Sequence, residues 1–151
     1  MWQAGQDSLV LFTGCGQQGD CAGWHSGNSR QIGEWIDNNV RQAQHLYSLV
    51  ANHPEFEAAS NPPMSAICIR YHNANLTEAD SKWLHAQVVE TVEKSGKFWI
   101  STTELKGKTW FRINPVNFRT RSEHMEQLLA MLERECRAAF GMHEKNGAVD
   151  N

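Results

Sequence analysis

No stretch of this 151-residue chain approaches the roughly 20 consecutive apolar residues that a membrane helix needs. The opening residues, Met1 to Gln6, carry no basic cluster, and Leu9-Val10-Leu11-Phe12 is shorter than the core of a secretory signal. These absences predict a cytoplasmic protein with no membrane partner. An excess of basic charge is missing too. Lys and Arg total 14 against 17 Asp and Glu, a net charge of −3. A chain that grips a polyanion through its phosphates is ordinarily basic, so nucleic acid is not expected as a partner. Cysteine is sparse. Cys15, Cys21, Cys68 and Cys136 are too few for a disulfide framework. Cys15, Cys21 and His25 are spaced C-x5-C-x3-H with no fourth ligand nearby, and no two histidines stand four apart. No metal site is expected.

What remains is a composition of 40% hydrophobic and 21% charged residues, suited to one globular domain with a real core. Residues 1–30 stand apart. They are Gly-rich and show neither a helical nor a strand period, which predicts a poorly ordered leader with a short strand at Ser8 to Thr13. Gly14-Cys15-Gly16-Gln17-Gln18-Gly19 has the spelling of a dinucleotide-binding turn, but no amphipathic helix follows it.

From Gln31 the pattern sharpens into a domain predicted to span residues 31–142, followed by a polar tail, 143–151. Ile32, Trp35, Ile36, Val40, Ala43, Leu46, Tyr47 and Val50 recur at helical spacing up to His53-Pro54. Glu55 to Pro63 reads as a turn, and Ser65 to Tyr71 as a strand with Cys68 and Arg70 on its second face. Thr77 caps a helix that carries Leu84, Val88 and Val92 and ends at Ser95-Gly96. Phe98 to Thr103 and Thr109 to Ile113 flank a Lys106-Gly107-Lys108 turn. Thr120-Arg121-Ser122-Glu123 spells a capping box for a last helix along Met125, Leu128, Leu132, Cys136 and Phe140. The order helix, strand, helix, strand, strand, helix predicts an α+β fold. Its expected form is a small three-stranded, mostly antiparallel sheet with three helices on one face. The bare face is expected to show aromatic residues, among them some of Trp99, Trp110 and Phe111; the tryptophans as a group are expected in the core.

Two segments carry a resemblance. One is Gly33-Glu34-Trp35-Ile36-Asp37-Asn38-Asn39-Val40-Arg41-Gln42-Ala43-Gln44-His45-Leu46 with Pro54-Glu55-Phe56-Glu57. The other is Leu105 to Thr120, through Thr109-Trp110-Phe111-Arg112-Ile113-Asn114-Pro115. Together they resemble the C-terminal domain of group II pyridoxal-phosphate-dependent amino-acid decarboxylases, over roughly Gln31 to Phe140. The resemblance implies the C-terminal fold of fold-type I enzymes and a full-length parent that is a homodimer. That parent acts on an amino-acid substrate and releases an amine and CO2. It implies pyridoxal phosphate in the parent, bound in an upstream domain through a Schiff-base Lys usually preceded by His. There the cofactor serves as electron sink for the carbanion left when CO2 departs. No His-Lys pair occurs in this chain. The expectation is a fragment that lacks the catalytic residues and binds no cofactor alone.

Lys106, Lys108, Arg112, Arg119 and Arg121 follow one another with no intervening acid. Lys106, Lys108 and Arg121 suit a solvated hairpin and helix start. Arg112 differs, because it interrupts an aromatic strand where a charge must point outward or meet an anion. The resemblance gives an Arg at this position the task of binding the substrate carboxylate, which a planar, permanently charged fork does well. Three other readings start from the same residues and face. Arg112 can pair internally with Glu104 or Glu123. Lys106 to Ile113 also loosely imitates the basic-aromatic pattern of ferredoxin-like RNA-binding modules, and a bare sheet face suits a stand-alone dimerisation module. Asn114, Pro115, Asn117 and Thr120 fit a turn and cap.

The domain boundary is testable. A chain lacking residues 1–30 is expected to unfold cooperatively, with a thermal midpoint within a few degrees of the full chain, about the shift produced by 1 kcal/mol. Differential scanning calorimetry of both chains measures it; loss of a cooperative transition places part of the core in the leader.

Overall fold

The computed structural model describes residues 29–147. The Gly-rich opening lies outside the described residues, and with it the expected strand at Ser8 to Thr13 and the Cys15, Cys21 and His25 group. Three helices, α1 (Ser29–Ala51), α2 (Glu78–Lys94) and α3 (Ser122–Gly147), cover one face of a sheet built from β1 (Phe56–Ala58), β2 (Ile67–Tyr71), β3 (Ser101–Leu105) and β4 (Lys108–Ile113). The strand order is β1-β2-β4-β3, and every neighbouring pair is antiparallel. The fold is α+β as expected, but the sheet has four strands, not three.

The added strand is β1, inside the segment read as a turn. Its three residues are too few to show a period, and Pro62-Pro63 dominate the local signal. Pairing is what makes it a strand: Phe56 lies opposite Tyr71, and Ala58 opposite Ile69. Backbone bonds from His72 N to Glu55 O (2.8 Å) and from Ala59 N to Cys68 O (2.9 Å) extend the ladder at both ends. Phe56 and Tyr71 meet edge to face, 5.5 Å between centroids.

The β3–β4 hairpin also departs from expectation. Lys106 (φ 53°) and Gly107 (φ 74°) both take left-handed conformations, the signature of a two-residue type I′ turn whose twist suits the flanking strands. That turn fixes Leu105 opposite Lys108 and, four residues on, Ser101 opposite Arg112. Pairing therefore begins at Ser101 and not at Phe98. Phe98 and Ile100 still enter the core, ahead of the strand.

Alternation does the rest. Ile67, Ile69 and Tyr71 of β2 and Phe111 and Ile113 of β4 point toward the helices and are fully buried. They meet Leu84, Val88 and Val92 of α2, Ala43, Leu46 and Val50 of α1, and Met125, Leu128, Leu132 and Cys136 of α3. Each buried Val, Leu, Ile, Met or Phe among them contributes about 1.5–3 kcal/mol of transfer free energy. The tryptophans do not follow the core expectation. Trp83 and Trp99 are exposed, Trp35 is half-buried, and of the described four only Trp110 is buried. Long amphipathic rings at the margins of a small core keep one edge in water. Phe111, named for the bare face, is in the core.

Thr77 caps α2 as expected, its hydroxyl accepting from Asp80 N, and Gly96 (φ 67°) follows the helix end in the left-handed conformation that Gly favours. The capping box at α3 does not form. Thr120 is buried, and its hydroxyl has no partner among the described residues. Its carbonyl instead accepts from Asn38 Nδ2 (3.0 Å), tying α1 to the loop, while Arg121 N donates to His124 Nδ1. α3 itself continues through Gly147, into the segment read as a polar tail.

His85 joins α2 to β2 from inside the core. It is fully buried and 4.2 Å from the Phe111 ring. Its Nδ1 donates to Ser81 O (2.7 Å) and its Nε2 accepts from Tyr71 N (3.3 Å), so both nitrogens are used by the neutral ring. Burial pushes its pKa down from 6.5 to about 4; Arg70 pushes the same way, and Ser81 O and Glu78 oppose. A base with a depressed folded pKa favours the unfolded chain as it takes up its proton. The stability is whole above about pH 6.5 and is lost as pH falls toward 4, by about 3 kcal/mol. Urea midpoints at about pH 7 and pH 4.5 should show that loss, and His85→Phe should flatten this part of the profile at a lower plateau. A profile that is unchanged in His85→Phe assigns the acid limb to other groups.

Candidate functional site

The sheet face opposite the helices carries the second side-chain set. On one cross-strand row Glu57 lies opposite Arg70 and Trp110 opposite Thr103. The Arg70 guanidinium carbon is 5.8 Å from the Trp110 ring centroid, which links the two pairs. The next row sets Cys68 of β2 opposite Arg112 of β4, and Arg112 opposite Ser101 of β3.

Arg112, the residue singled out from the sequence, is exposed on this face in a central strand. Neither internal partner is used. Glu104 binds Lys82 of α2 at 2.7 Å on the other side of the sheet, and Glu123 forms no ion pair with Arg112. Among the described residues no carboxylate pairs with Arg112. The remaining basic residues do not converge on it. Lys108 stands four residues away along an extended strand, about 13 Å, with Lys106 in the turn beyond. Arg119 lies over the Phe118 ring (5.2 Å), which stacks on Trp35 (5.0 Å). Asn114, just past β4, accepts from Ser65 Oγ at 2.8 Å and pins the exit of β4 to the entry of β2.

Arg70 was not singled out, yet it is the buried cation of this face. Its side chain is 6% exposed, held by Glu78 Oε1 at 3.0 Å from Nη2 and by Glu57 Oε1 at 3.4 Å from Nε. Neither Nε nor Nη1 has a hydrogen-bond partner among the described residues, so Glu57 holds the group by charge alone. Nothing in the sequence marks it, because its carboxylates come from β1 and from the first residue of α2. Between the two arginines the electrostatics differ in sign: the Arg70 group carries two acids to one base, while the Arg112 row carries a lone cation. Burial pushes the Cys68 thiol up and Arg112 partly offsets it, so the thiol stays protonated at neutral pH.

Lys82, Lys94, Lys97, Lys106 and Lys108 do not fit pyridoxal phosphate. Lys82 is bound to Glu104 and Lys94 to Glu90, and Lys97, Lys106 and Lys108 are exposed. A Schiff-base lysine needs a desolvated pocket that lowers its pKa; the Glu104 carboxylate raises that of Lys82. What the face offers is one exposed arginine in a central strand, unpaired among the described residues.

No family model matches the chain. It is 24% identical over 99 residues to the aromatic-L-amino-acid decarboxylase of Bacillus atrophaeus, covering 65% of this chain and 21% of that protein. It is 23% identical over 116 residues to phenylacetaldehyde synthase of Arabidopsis thaliana, covering 77% of this chain and 23% of that one. The chain thus spans about a fifth to a quarter of these relatives. Among solved structures, Oryza sativa TDC with PLP and tryptamine superposes with a TM-score of 0.65 at 19% identity, over 72% of this chain and 24% of that one. The glutamate decarboxylase domain from Vibrio parahaemolyticus superposes with a TM-score of 0.68 at 16% identity, over 77% and 24%. The fold is that of the C-terminal domain of these decarboxylases.

The two arginines should separate cleanly by stability. Arg112→Ala removes an exposed, unpaired side chain and is expected to stay within about 0.5 kcal/mol of the parent. Arg70→Ala leaves two carboxylates without their cation and should cost about 2–4 kcal/mol, discounted from the fully buried case because both acids are half in water. Urea denaturation of each variant measures the difference; equal losses overturn the assignment.

Proposed function

We propose that this chain is the C-terminal domain of a group II pyridoxal-phosphate-dependent amino-acid decarboxylase, closing over the active site of its full-length parent, and that Arg112 receives the substrate carboxylate there. The observation that carries this reading is a permanent cation in a central strand, on the face the helices leave bare, with no carboxylate paired to it among the described residues. The likeness in sequence and fold to decarboxylases supports it. The parent reaction is loss of the α-carboxyl group from an amino acid, giving an amine and CO2, in a cytoplasmic homodimer. The cofactor belongs to another part of that protein; the task of the residues described above is to bind and orient.

The chemistry of Arg112 suits that task. A guanidinium stays charged at every working pH and presents two parallel N–H bonds to two carboxylate oxygens. Held by neighbours on both sides in the sheet, its backbone is fixed before a substrate arrives, so little ordering is left to oppose binding. The nucleic-acid reading lacks its platform. Phe111 faces the core and Trp110 is buried beside Arg70, which leaves β2 and β4 without an exposed aromatic for a base to stack on.

Two measurements test the proposal. The isolated chain, mixed with pyridoxal phosphate and borohydride, is expected to show no stoichiometric label at a single lysine and no amine production from any amino acid. In the full-length parent, Arg112→Lys keeps the charge but loses the fork, and kcat/KM should fall by about 1–3 kcal/mol with the melting temperature unchanged. Turnover by the isolated chain, or full activity of Arg112→Lys, defeats the reading.

A further inference from the structure

We propose that Cys68 and Ser101, which flank Arg112 on the two neighbouring strands, complete a carboxylate cradle in which the guanidinium supplies the charge and the thiol and hydroxyl supply side donors. The inference rests on the reading of Arg112 given above and adds to it two residues and a ligand geometry.

Position comes from the register. Directly opposed residues of antiparallel strands have their Cβ atoms about 4.5–5.5 Å apart, and Arg112 is opposed by Cys68 on one side and by Ser101 on the other. Three side chains from three adjacent strands therefore stand in one line on the open face. Access follows the same line, with Cys68 half-buried and Arg112 and Ser101 exposed. Neither the guanidinium nor the Ser101 hydroxyl has a partner among the described residues.

Burial keeps Cys68 a thiol, so it does not neutralise the arginine and has an S–H to offer. Charge selects the ligand. The row holds a single positive charge, which one carboxylate balances and a phosphate dianion exceeds. The neighbouring row adds no cation to spare: Arg70 is bracketed by Glu57 and Glu78, leaving that side one negative charge in excess. A second negative charge on the ligand would be repelled from it.

Cys68 makes the cradle its own reporter. Iodoacetate and iodoacetamide alkylate by the same step: the thiolate sulfur displaces iodide and forms the S–CH2 bond. They differ in the carboxylate that only the first carries. In the full chain at about pH 8, where thiolate is a minor species that alkylation steadily drains, the rate ratio of iodoacetate to iodoacetamide at Cys68 is read by peptide mass spectrometry. The ratio should exceed that of the urea-unfolded chain by about fivefold, the upper range for an exposed charge pair. Arg112→Gln should abolish the excess, Arg112→Lys should keep part of it, and Ser101→Ala should lower it with the iodoacetamide rate unchanged. Phenylacetate should slow labelling more than inorganic phosphate at equal ionic strength.

A ratio equal to that of the unfolded chain, or one indifferent to Arg112→Gln or Ser101→Ala, overturns the cradle. Equal protection by phosphate overturns its preference for a carboxylate. Because labelling is read in this chain and turnover in the full-length parent, the two proposals fail separately. A normal ratio alongside impaired Arg112→Lys turnover sinks only the cradle.

Discussion

A slip of one residue between β2 and β4 would carry Phe111 into water and Arg112 into the core. Side chains alternate strictly across a sheet, so the register of this one central pair decides both the interior and the chemistry of the open face. It is held from two directions. The apolar set Ile67, Ile69, Phe111 and Ile113 must meet the helices, and the Lys106-Gly107 turn permits one alignment of β4 against β3. The row of Cys68, Arg112 and Ser101 is a by-product of that solution. No interaction among those three residues is needed to assemble them.

The polar contacts divide between the two faces of β2. Inside, His85 takes the Tyr71 amide; outside, Arg70 reaches Glu78 at the start of α2. Both tie the end of β2 to the helix that follows it, across a connection of six residues. A carboxylate at a helix N-terminus is favoured by the dipole, and Glu78 serves that end as well as the arginine. The open face thus has one cation, Arg70, anchored by carboxylates, and another in a central strand, Arg112, with no carboxylate partner among the described residues. Their difference lies in the acids supplied by neighbouring elements, since the side chains are the same.

Much of this was legible in the sequence. The three helices, β2 and β4 followed from period and caps, and the isolation of Arg112 among Trp110, Phe111 and Ile113 followed from the cost of a charge in an apolar strand. Three features were not legible, each for its own reason. β1 is three residues long and exists only through its pairing with β2, which no local window contains. Thr120 has the spelling of a cap, yet tertiary contact with Asn38 took its backbone and left its hydroxyl inside. Arg70 needs two carboxylates that are 13 residues before it and 8 after it in sequence, and only the fold brings them to one point.

Helix α1 is divided by its burial. No residue from Arg30 to Arg41 is buried, Ile36 is 51% exposed, and core contact begins only at Gln42 and Ala43. Its first turn also lacks an acidic residue to meet the dipole. The leading half depends on helix propensity, on the Trp35–Phe118 stack and on Asn38, while the trailing half shares the cooperativity of the core. Amide hydrogens of the first three turns therefore exchange through local opening at a lower free energy than those beyond Gln42. The helix has a lightly held arm and a core-anchored arm, and the loop that carries Phe118 and Thr120 is fastened to the first.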